Sequence, residues 1–424
     1  MENKNKIIWI WNHYATSMFS EKGGRHHWFG KYLIKKGYTV KIFCASTMHS
    51  TLDTVDTMGN DFITDISDGI EYVFIKTPQY VGNGKSRIKN MIAFYKGLFP
   101  VSKEIAAKSG KPDVILASSV HPLTLVAGIK TAKKFKIPCV CEIRDLWPES
   151  LIEIGMLKRS SMISKILYKG EAWIYKKADS LIFTMPGGRD YIVEHGLDKS
   201  IDLDEVYNIN NGIDLEDFNI KQRETLFEDN DLKDDSFKVV YTGSVRSANH
   251  VEDLLKAAEI CSSKGITDIK FLVYGDGDQK DILEKTAGEK GLDNIVFKGR
   301  VEKKYIPYIL SRGSLNIVTG EDSNLGRYGI SWNKLFEYMA SGKPILANYK
   351  IERYNFIEEY DFGTAKRFEN IEEFADAIIN MKNLGSDEYE RYSRNALKAA
   401  ADFDYKNLTD VLEGVLKGAM ERYK

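Results

Sequence analysis

The sequence predicts an α/β chain made of two doubly wound domains, each a parallel sheet covered by helices on both faces. Three observations carry this. Its 424 residues exceed one ordinary core and suit two domains of about 200 residues each. Short, continuously apolar runs alternate with helix-period segments, as in buried parallel strands and their crossover helices. The alternation pauses at an acidic stretch, residues 221–236, and then starts again.

In the first half, IIWIWN is followed by the helical HHWFGKYLIKKG and the strand-like YTVKIFCAS. Next come DVILASS, a helix over about 123–136 and the run PCVCEIRD. A long helical stretch over 163–177, SLIFTM, a short helix and VYNINNGID close this half. KQRETLFEDNDLKDDS (221–236) has little periodicity and reads as a linker or surface loop. The second half runs FKVVYTGS, HVEDLLKAAEICSSKG, IKFLVYGDGD, a helix, NIVFKGRV, KKYIPYILSRG, SLNIVTG, NKLFEYMASGKPILAN. The domains expected are 1–210 and 211–404, with a last helix over 405–424.

Composition narrows the function. Sixty Lys and Arg against 61 Asp and Glu give no field suited to nucleic acid. No apolar run nears the ~20 residues that cross a bilayer. The opening MENKNKIIWIWNHYA lacks a small-residue cleavage site and reads as a first strand, not a signal peptide. Cys44, Cys139, Cys141 and Cys261 fit neither a zinc knuckle nor a CxxC pair, so free thiols in a reducing cytoplasm are expected.

Open parallel sheets bind ligands beyond the carboxyl ends of their strands. In ISWNKLFEYMASGKP, Ser331 is a candidate N-cap, placing Lys334 and Glu337 on one face of the first two turns. Gly342 closes the helix in a left-handed conformation, and Pro344 leads into the next strand. A helix start plus a lysine suits a diphosphate, and a carboxylate one turn deeper suits sugar hydroxyls. The structural alternative is a Lys–Glu surface pair. EIRDLWPES runs an apolar strand into Glu142, Arg144 and Asp145, which are either a structural ion pair or ligand contacts. His121, in SSVHPLT, ends another strand. Asp276 and Asp278, two apart, also match a carboxylate pattern that holds Mg²⁺ or Mn²⁺ on a diphosphate.

NKLFEYMASGKPILAN resembles the donor-binding motif of family 4 glycosyltransferases of the GT-B fold, in particular bacterial O-antigen and capsule enzymes such as N-acetyl-fucosamine transferases. GGRHHWFGKYLIKKGYTVKIF, KPDVILASS, EIRDLWPES, YNINNGID, VVYTGS, LVYGDGDQKDIL and NIVFKGRV agree in order, so the resemblance spans the chain. It implies two Rossmann-like domains facing a central cleft, with the acceptor on the first and the nucleotide-sugar on the second. Glu337 would bind the ribose, and the helix start would hold the diphosphate with Lys334 and Arg246. Gly243 and the GDG turn at Gly275 would shape the nucleotide pocket without metal. Arg300 and Val301 would meet the base, and Gly23 and Gly24 the diphosphate or acceptor. Asp145, His121, Glu142 and Arg144 would lie by the reacting sugars, Asp145 foremost.

The chain departs from the family pattern at three places, one of them Arg144-Asp145, where many members carry a histidine. The motif's first glutamate falls at Gly329, so the backbone around Gly326, Tyr328 and Gly329 would take over its contacts. Asn249 stands near a usual lysine. The resemblance implies a retaining, metal-independent transferase with no cofactor. It would carry a sugar from a UDP-linked N-acetylated donor to a surface polysaccharide or a polyprenyl-diphosphate-linked acceptor, in the cytoplasm at the inner face of the plasma membrane. Residues 76–111 hold eight basic residues and one acid among Met91, Ile92, Phe94, Tyr95, Leu98 and Phe99. They are either a peripheral membrane surface or a helix with an apolar core face and a solvated basic one. A non-catalytic subunit and a UDP-sugar epimerase are the other readings.

Overall fold

A computed structural model describes residues 5–49, 52–82 and 84–423. The first four residues of the domain expected over 1–210, residue 83 of the basic segment 76–111 and the last residue of 405–424 lie outside them. The chain forms two compact units: residues up to Asn210 with those from Tyr405, and Asn211–Asp404.

In the first unit the order is β1 (Ile7–Trp11), α1 (Thr16–Glu21), α2 (Arg25–Lys35), β2 (Thr39–Ala45), β3 (Phe62–Ser67), β4 (Ile70–Ile75), α3 (Lys85–Ser109) and β5 (Val114–Ser118). Then follow α4 (Pro122–Phe135), β6 (Cys139–Ile143), α5 (Glu149–Glu153), α6 (Met162–Lys177), β7 (Ser180–Phe183), α7 (Gly188–Glu194) and β8 (Val206–Asn208). The sheet order is β3-β4-β2-β1-β5-β6-β7-β8. Every residue of β1, β5, β6 and β7 is buried, which is why these strands read as unbroken apolar runs. Cys139 and Cys141 share a face, their sulfurs 3.9 Å apart, as free buried thiols.

One pair departs from the parallel sheet that was expected. β3 pairs antiparallel with β4, Ser67 opposite Ile70. Asp68-Gly69 is the two-residue turn that favours such a hairpin, and this signal was in the sequence. The basic segment is also resolved in kind. α3 turns Phe94 and Leu98 into the core, leaves Tyr95 and Phe99 half-buried and leaves Ile88 and Ile92 exposed, so part of its apolar content is packing.

In the second unit the order is α8 (Leu215–Glu224), β9 (Phe237–Thr242), α9 (Glu252–Ser263), β10 (Ile269–Tyr274), α10 (Lys280–Glu289), β11 (Ile295–Gly299), α11 (Ile306–Arg312) and β12 (Leu315–Thr319). Then come α12 (Asn333–Ala340), β13 (Ile345–Asn348), α13 (Phe356–Glu359), β14 (Gly363–Lys366), α14 (Ile371–Lys382) and α15 (Ser386–Asp402). The sheet is parallel throughout, ordered β11-β10-β9-β12-β13-β14. The last helix, α16 (Tyr405–Arg422), belongs to the first unit, where Leu412 and Leu416 join the core with Phe29 and Leu33 of α2.

Two expectations need correction. The stretch 221–236 is not a linker or surface loop throughout: its first residues finish α8, and only the rest is the expected loop, in which Asp229, Asp231 and Asp234 clamp the sheet. Lys298 of β11 reaches Asp229 at 2.7 Å and Asp231 at 2.5 Å, Lys270 of β10 reaches Asp231 and Asp234, and Tyr274 donates to Asp229. Nor is Ser331 an N-cap. α12 starts one residue later, capped by the extended Trp332 without a side-chain bond, because the Ser331 hydroxyl accepts the Asn211 N–H at 2.9 Å. Gly342, with φ 64, follows the helix as expected.

Candidate functional site

In the second unit the strand order reverses between β9 and β12, the place where a doubly wound sheet opens a crevice at its carboxyl edge. The loop after β9 holds Gly243, and the helix after β12 is α12. Three loops lie edge to edge there. Gly243 N–H donates to the Tyr274 carbonyl at 3.0 Å, Gly275 N–H to Gly299 at 2.8 Å, and Val245 N–H to Asp276 at 2.9 Å. A Cβ on Gly275 would stand 1.7 Å from the Gly243 carbonyl oxygen, so only glycine permits this approach.

Lys334 enters the crevice from the first turn of α12. Its Nζ lies 3.2 Å from the Tyr241 hydroxyl, 4.3 Å above that ring, and 3.0 Å from where a Cβ on Gly243 would stand. Tyr338, one helical turn on, accepts the Thr242 N–H at 2.9 Å and pins α12 to β9. Burial lowers the Lys334 pKa to about 8, with Glu337 opposing. Burial raises the Glu337 carboxyl, opposed by Lys303, Lys334 and Lys221. Lys334 and Glu337 make no ion pair within 4.0 Å among the described residues, so the surface-pair alternative does not describe them.

The other candidates of this unit separate. Arg246 is exposed at the head of the turn Ser247–Asn249. Asn249 carries no charge and is spent on the loop, donating to the Ser244 carbonyl and hydroxyl at 2.5 and 2.8 Å. Arg300 is exposed and Val301 half-buried against the core. Gly326 and Tyr328 are buried, which turns the Tyr328 side chain away from solvent. Gly329 has φ 85, a conformation in which a glutamate would be strained, so the missing carboxylate has a backbone reason. Asp276 and Asp278 are exposed, and Asp276 accepts the Gly277 N–H at 2.8 Å.

In the first unit the reversal falls between β1 and β5. Here His121, fully buried, meets His13 at 2.8 Å, a residue that sequence reasoning missed. Burial pushes the His121 pKa down to about 3 and the His13 pKa well below its usual value, so both are neutral. Tyr14 follows, with Arg87 of α3 donating to its hydroxyl at 3.0 Å. Past β6, Arg144 anchors its N–H on the Ser119 hydroxyl at 3.0 Å. Asp145 is solvent-exposed, yet the protein crowded around it raises its carboxyl, with Arg144 and Arg87 opposing. No Arg144–Asp145 ion pair forms among the described residues.

Glu142 is enclosed entirely, which removes it from direct contact with a ligand. It accepts from Arg25 at 2.7 Å, His26 at 2.9 Å and Ser118 at 2.6 Å. Burial disfavours its charge, but Arg25 and His26 hold the carboxyl well below its usual range. Asn12 donates to His26 Nδ1 at 2.8 Å, which leaves the Nε2 proton for Glu142. Arg25 also binds the carbonyls of Asn210 and Ile209, tying α2, β6 and the end of β8 together. It directly follows buried Gly23 and the turn at Gly24, the signal that sequence reasoning passed over.

Residues 29–217 match the family described as Glycosyltransferase Family 4, and residues 222–399 that described as Glycosyl transferases group 1. The chain is 25% identical over 253 residues to a probable glycosyltransferase WbjE of Pseudomonas aeruginosa, 59% of this chain and 60% of that one. It is 28% identical over 187 residues to an alpha-D-kanosaminyltransferase of Streptomyces kanamyceticus, 43% of this chain and 46% of that one. The chain thus spans less than two thirds of the length of these relatives. Among solved structures, Anabaena Alr3699/HepE in complex with UDP is similar at a TM-score of 0.66 and 14% identity, covering 97% of this chain and 100% of that one.

Proposed function

From a chain built of a Glycosyltransferase Family 4 domain followed by a Glycosyl transferases group 1 domain, with the two Rossmann-like units of the GT-B fold, we propose a retaining glycosyltransferase that uses a nucleotide-sugar, UDP-linked and N-acetylated. One observation carries the reading. An ammonium that has no carboxylate partner among the described residues lies over Gly243, where three backbone loops converge at the switch point of the second sheet.

Glycosyl transfer breaks the bond between the anomeric carbon and the diphosphate, and negative charge grows on the leaving group. Lys334 and the N–H groups of the first turn of α12 stabilise that charge, and one such fixed donor is worth about 3 kcal/mol. Arg246, exposed at the head of the turn after β9, adds a second cation. Glu337 accepts from the ribose hydroxyls. The acceptor hydroxyl attacks on the leaving-group face, its proton passes to a phosphate oxygen, and a glycoside and a nucleoside diphosphate result. No residue pair of glycosidase type is needed. Asp145 and Arg144 serve the acceptor sugar within the first unit, and no metal takes part. The acceptor is a growing surface glycan or a polyprenyl-diphosphate-linked one, met at the inner face of the plasma membrane.

Calorimetry against UDP-, GDP- and ADP-sugars tests the donor. Tight binding of a UDP-sugar that Lys334→Ala weakens, with turnover unchanged by chelator, is expected. Binding indifferent to Lys334 overturns the site, and loss of turnover in EDTA overturns the metal-free route. Gly329 and Asn249 favour a second reading, a subunit without turnover. Slow donor hydrolysis by the purified protein excludes it.

A further inference from the structure

We propose that α6 and the turn before it form a peripheral membrane-docking ridge that inserts apolar side chains among anionic lipids. The placement differs from the basic segment 76–111, and it does not depend on the transfer reaction.

α6 is amphipathic in an unusual sense. Its inner face packs through Ser164, Glu171, Ile174 and Tyr175. Its outer face is apolar as well. Met162, Ile166 and Trp173 share one stripe at helical spacing and are 70%, 61% and 39% exposed, with Ile163 beside them at 60%. Just upstream, Ile154 and Met156 are 67% and 63% exposed. Single exposed apolar residues are ordinary, but six in twenty residues of one chain segment are a patch that calls for a partner.

Charge identifies the partner. Lys165, Lys169 and Lys176 repeat the same spacing one step round the helix, so a row of exposed ammonium groups runs alongside the apolar row. Lys158, Arg159 and Lys177 are exposed too, and the one acid over 154–177, Glu171, is buried beneath the ridge. A second copy docking on this face would bring like charges together. An anionic bilayer satisfies both rows, taking apolar tips below the headgroups and lysines at the phosphates.

The ridge is also preformed. Glu149 of α5 takes a fork from Arg159 at 2.8 and 2.5 Å and the Tyr168 hydroxyl at 2.5 Å, and His195 lies 3.1 Å away. These bonds fix the turn that carries Ile154 and Met156, so little ordering remains to oppose binding. α4 packs against both α3 and α6, which puts the exposed Ile88 and Ile92 of α3 in the same helical layer.

Flotation of the full chain with phosphatidylcholine vesicles, with and without phosphatidylglycerol, tests this. Binding is expected only to the anionic vesicles and weakens with salt. Met162→Asp with Ile166→Asp abolishes it, while Lys165→Glu with Lys169→Glu lowers partitioning by at least about tenfold. Brominated acyl chains quench the wild type more than Trp173→Phe, a readout that needs no destabilising change. Absence of wild-type flotation, or flotation of both double variants equal to that of the wild type, overturns the proposal. So does a dimer in light scattering that Ile166→Asp dissociates without changing flotation. Donor binding retained by these variants separates a failed ridge from a failed donor site.

Discussion

At the scale of single residues, Lys334 is where function and stability pull apart. Its folded pKa, about 8, lies below the ordinary lysine value, so the folded state penalises the ammonium form. That penalty is complete below about 8 and is relieved as pH rises from there toward the unfolded value of about 10.4. Lys334→Met is therefore expected to raise the melting temperature near neutral pH while removing transfer, as scanning calorimetry and a transfer assay would show together. Under the proposed transfer reaction, Lys334→Ala and Glu337→Ala are each expected to lower kcat/KM by at least about a hundredfold, equivalent to about 2.7 kcal/mol. If Lys334 holds the donor as proposed, kcat/KM of the wild type is expected to fall as pH rises past about 8, where the free protein loses the charge. A flat alkaline limb would remove Lys334 from the donor site. Glu142 makes the opposite case. Its neighbours are a buried guanidinium and a buried imidazole, so Glu142→Gln strands Arg25 and costs about 3–5 kcal/mol in urea unfolding.

At the scale of elements, the helices owe their faces to what the sheet needs, and α6 shows how a buried acid is tolerated. Burial pushes the Glu171 carboxyl up to about 8, although Tyr191 and Tyr175 donate to it at 2.8 and 2.9 Å. A carboxyl raised in the folded state binds its proton longer there than in the unfolded chain. Its stability contribution is complete below about 4.3 and is lost as pH rises through about 8. Glu171→Gln keeps an acceptor for both tyrosines and carries no charge, so it is expected to raise the melting temperature above pH about 8 and change little near pH 5. Equal shifts at both ends would contradict the assigned ionisation.

At the scale of the whole molecule, the chain leaves the first unit at Asn210 and returns to it at Tyr405. α16 then supplies Leu412, Val415, Leu416, Ala419 and Met420 to the first unit's core. Removing residues 405–424 deletes several buried side chains at once, each comparable to a large-to-small change of about 2–5 kcal/mol. Limited proteolysis of the truncated chain is expected to cut the first unit throughout while sparing 211–404. Equal resistance of the two would show that α16 is dispensable. Among the described residues no helix is long and apolar enough to cross a membrane.

The sequence alone determined the α/β class and both sheets' central strands, because a strand buried on two faces must be apolar along its length, as IIWIW and VILAS are. It also marked Lys334, Glu337 and the glycine turns, since helix starts and close backbone approaches restrict residue type locally. The partners of those residues were decided by tertiary structure. Nothing near Glu142 in the chain announces Arg25, 117 residues away, and nothing near His121 announces His13, 108 residues away. Which apolar residues stay outside was likewise decided there: Phe94 and Ile166 are both apolar residues in basic helical stretches, yet packing against the sheet buries one and leaves the other in solvent. Periodicity fixes which residues share a face, but only the packed neighbours fix which face is covered.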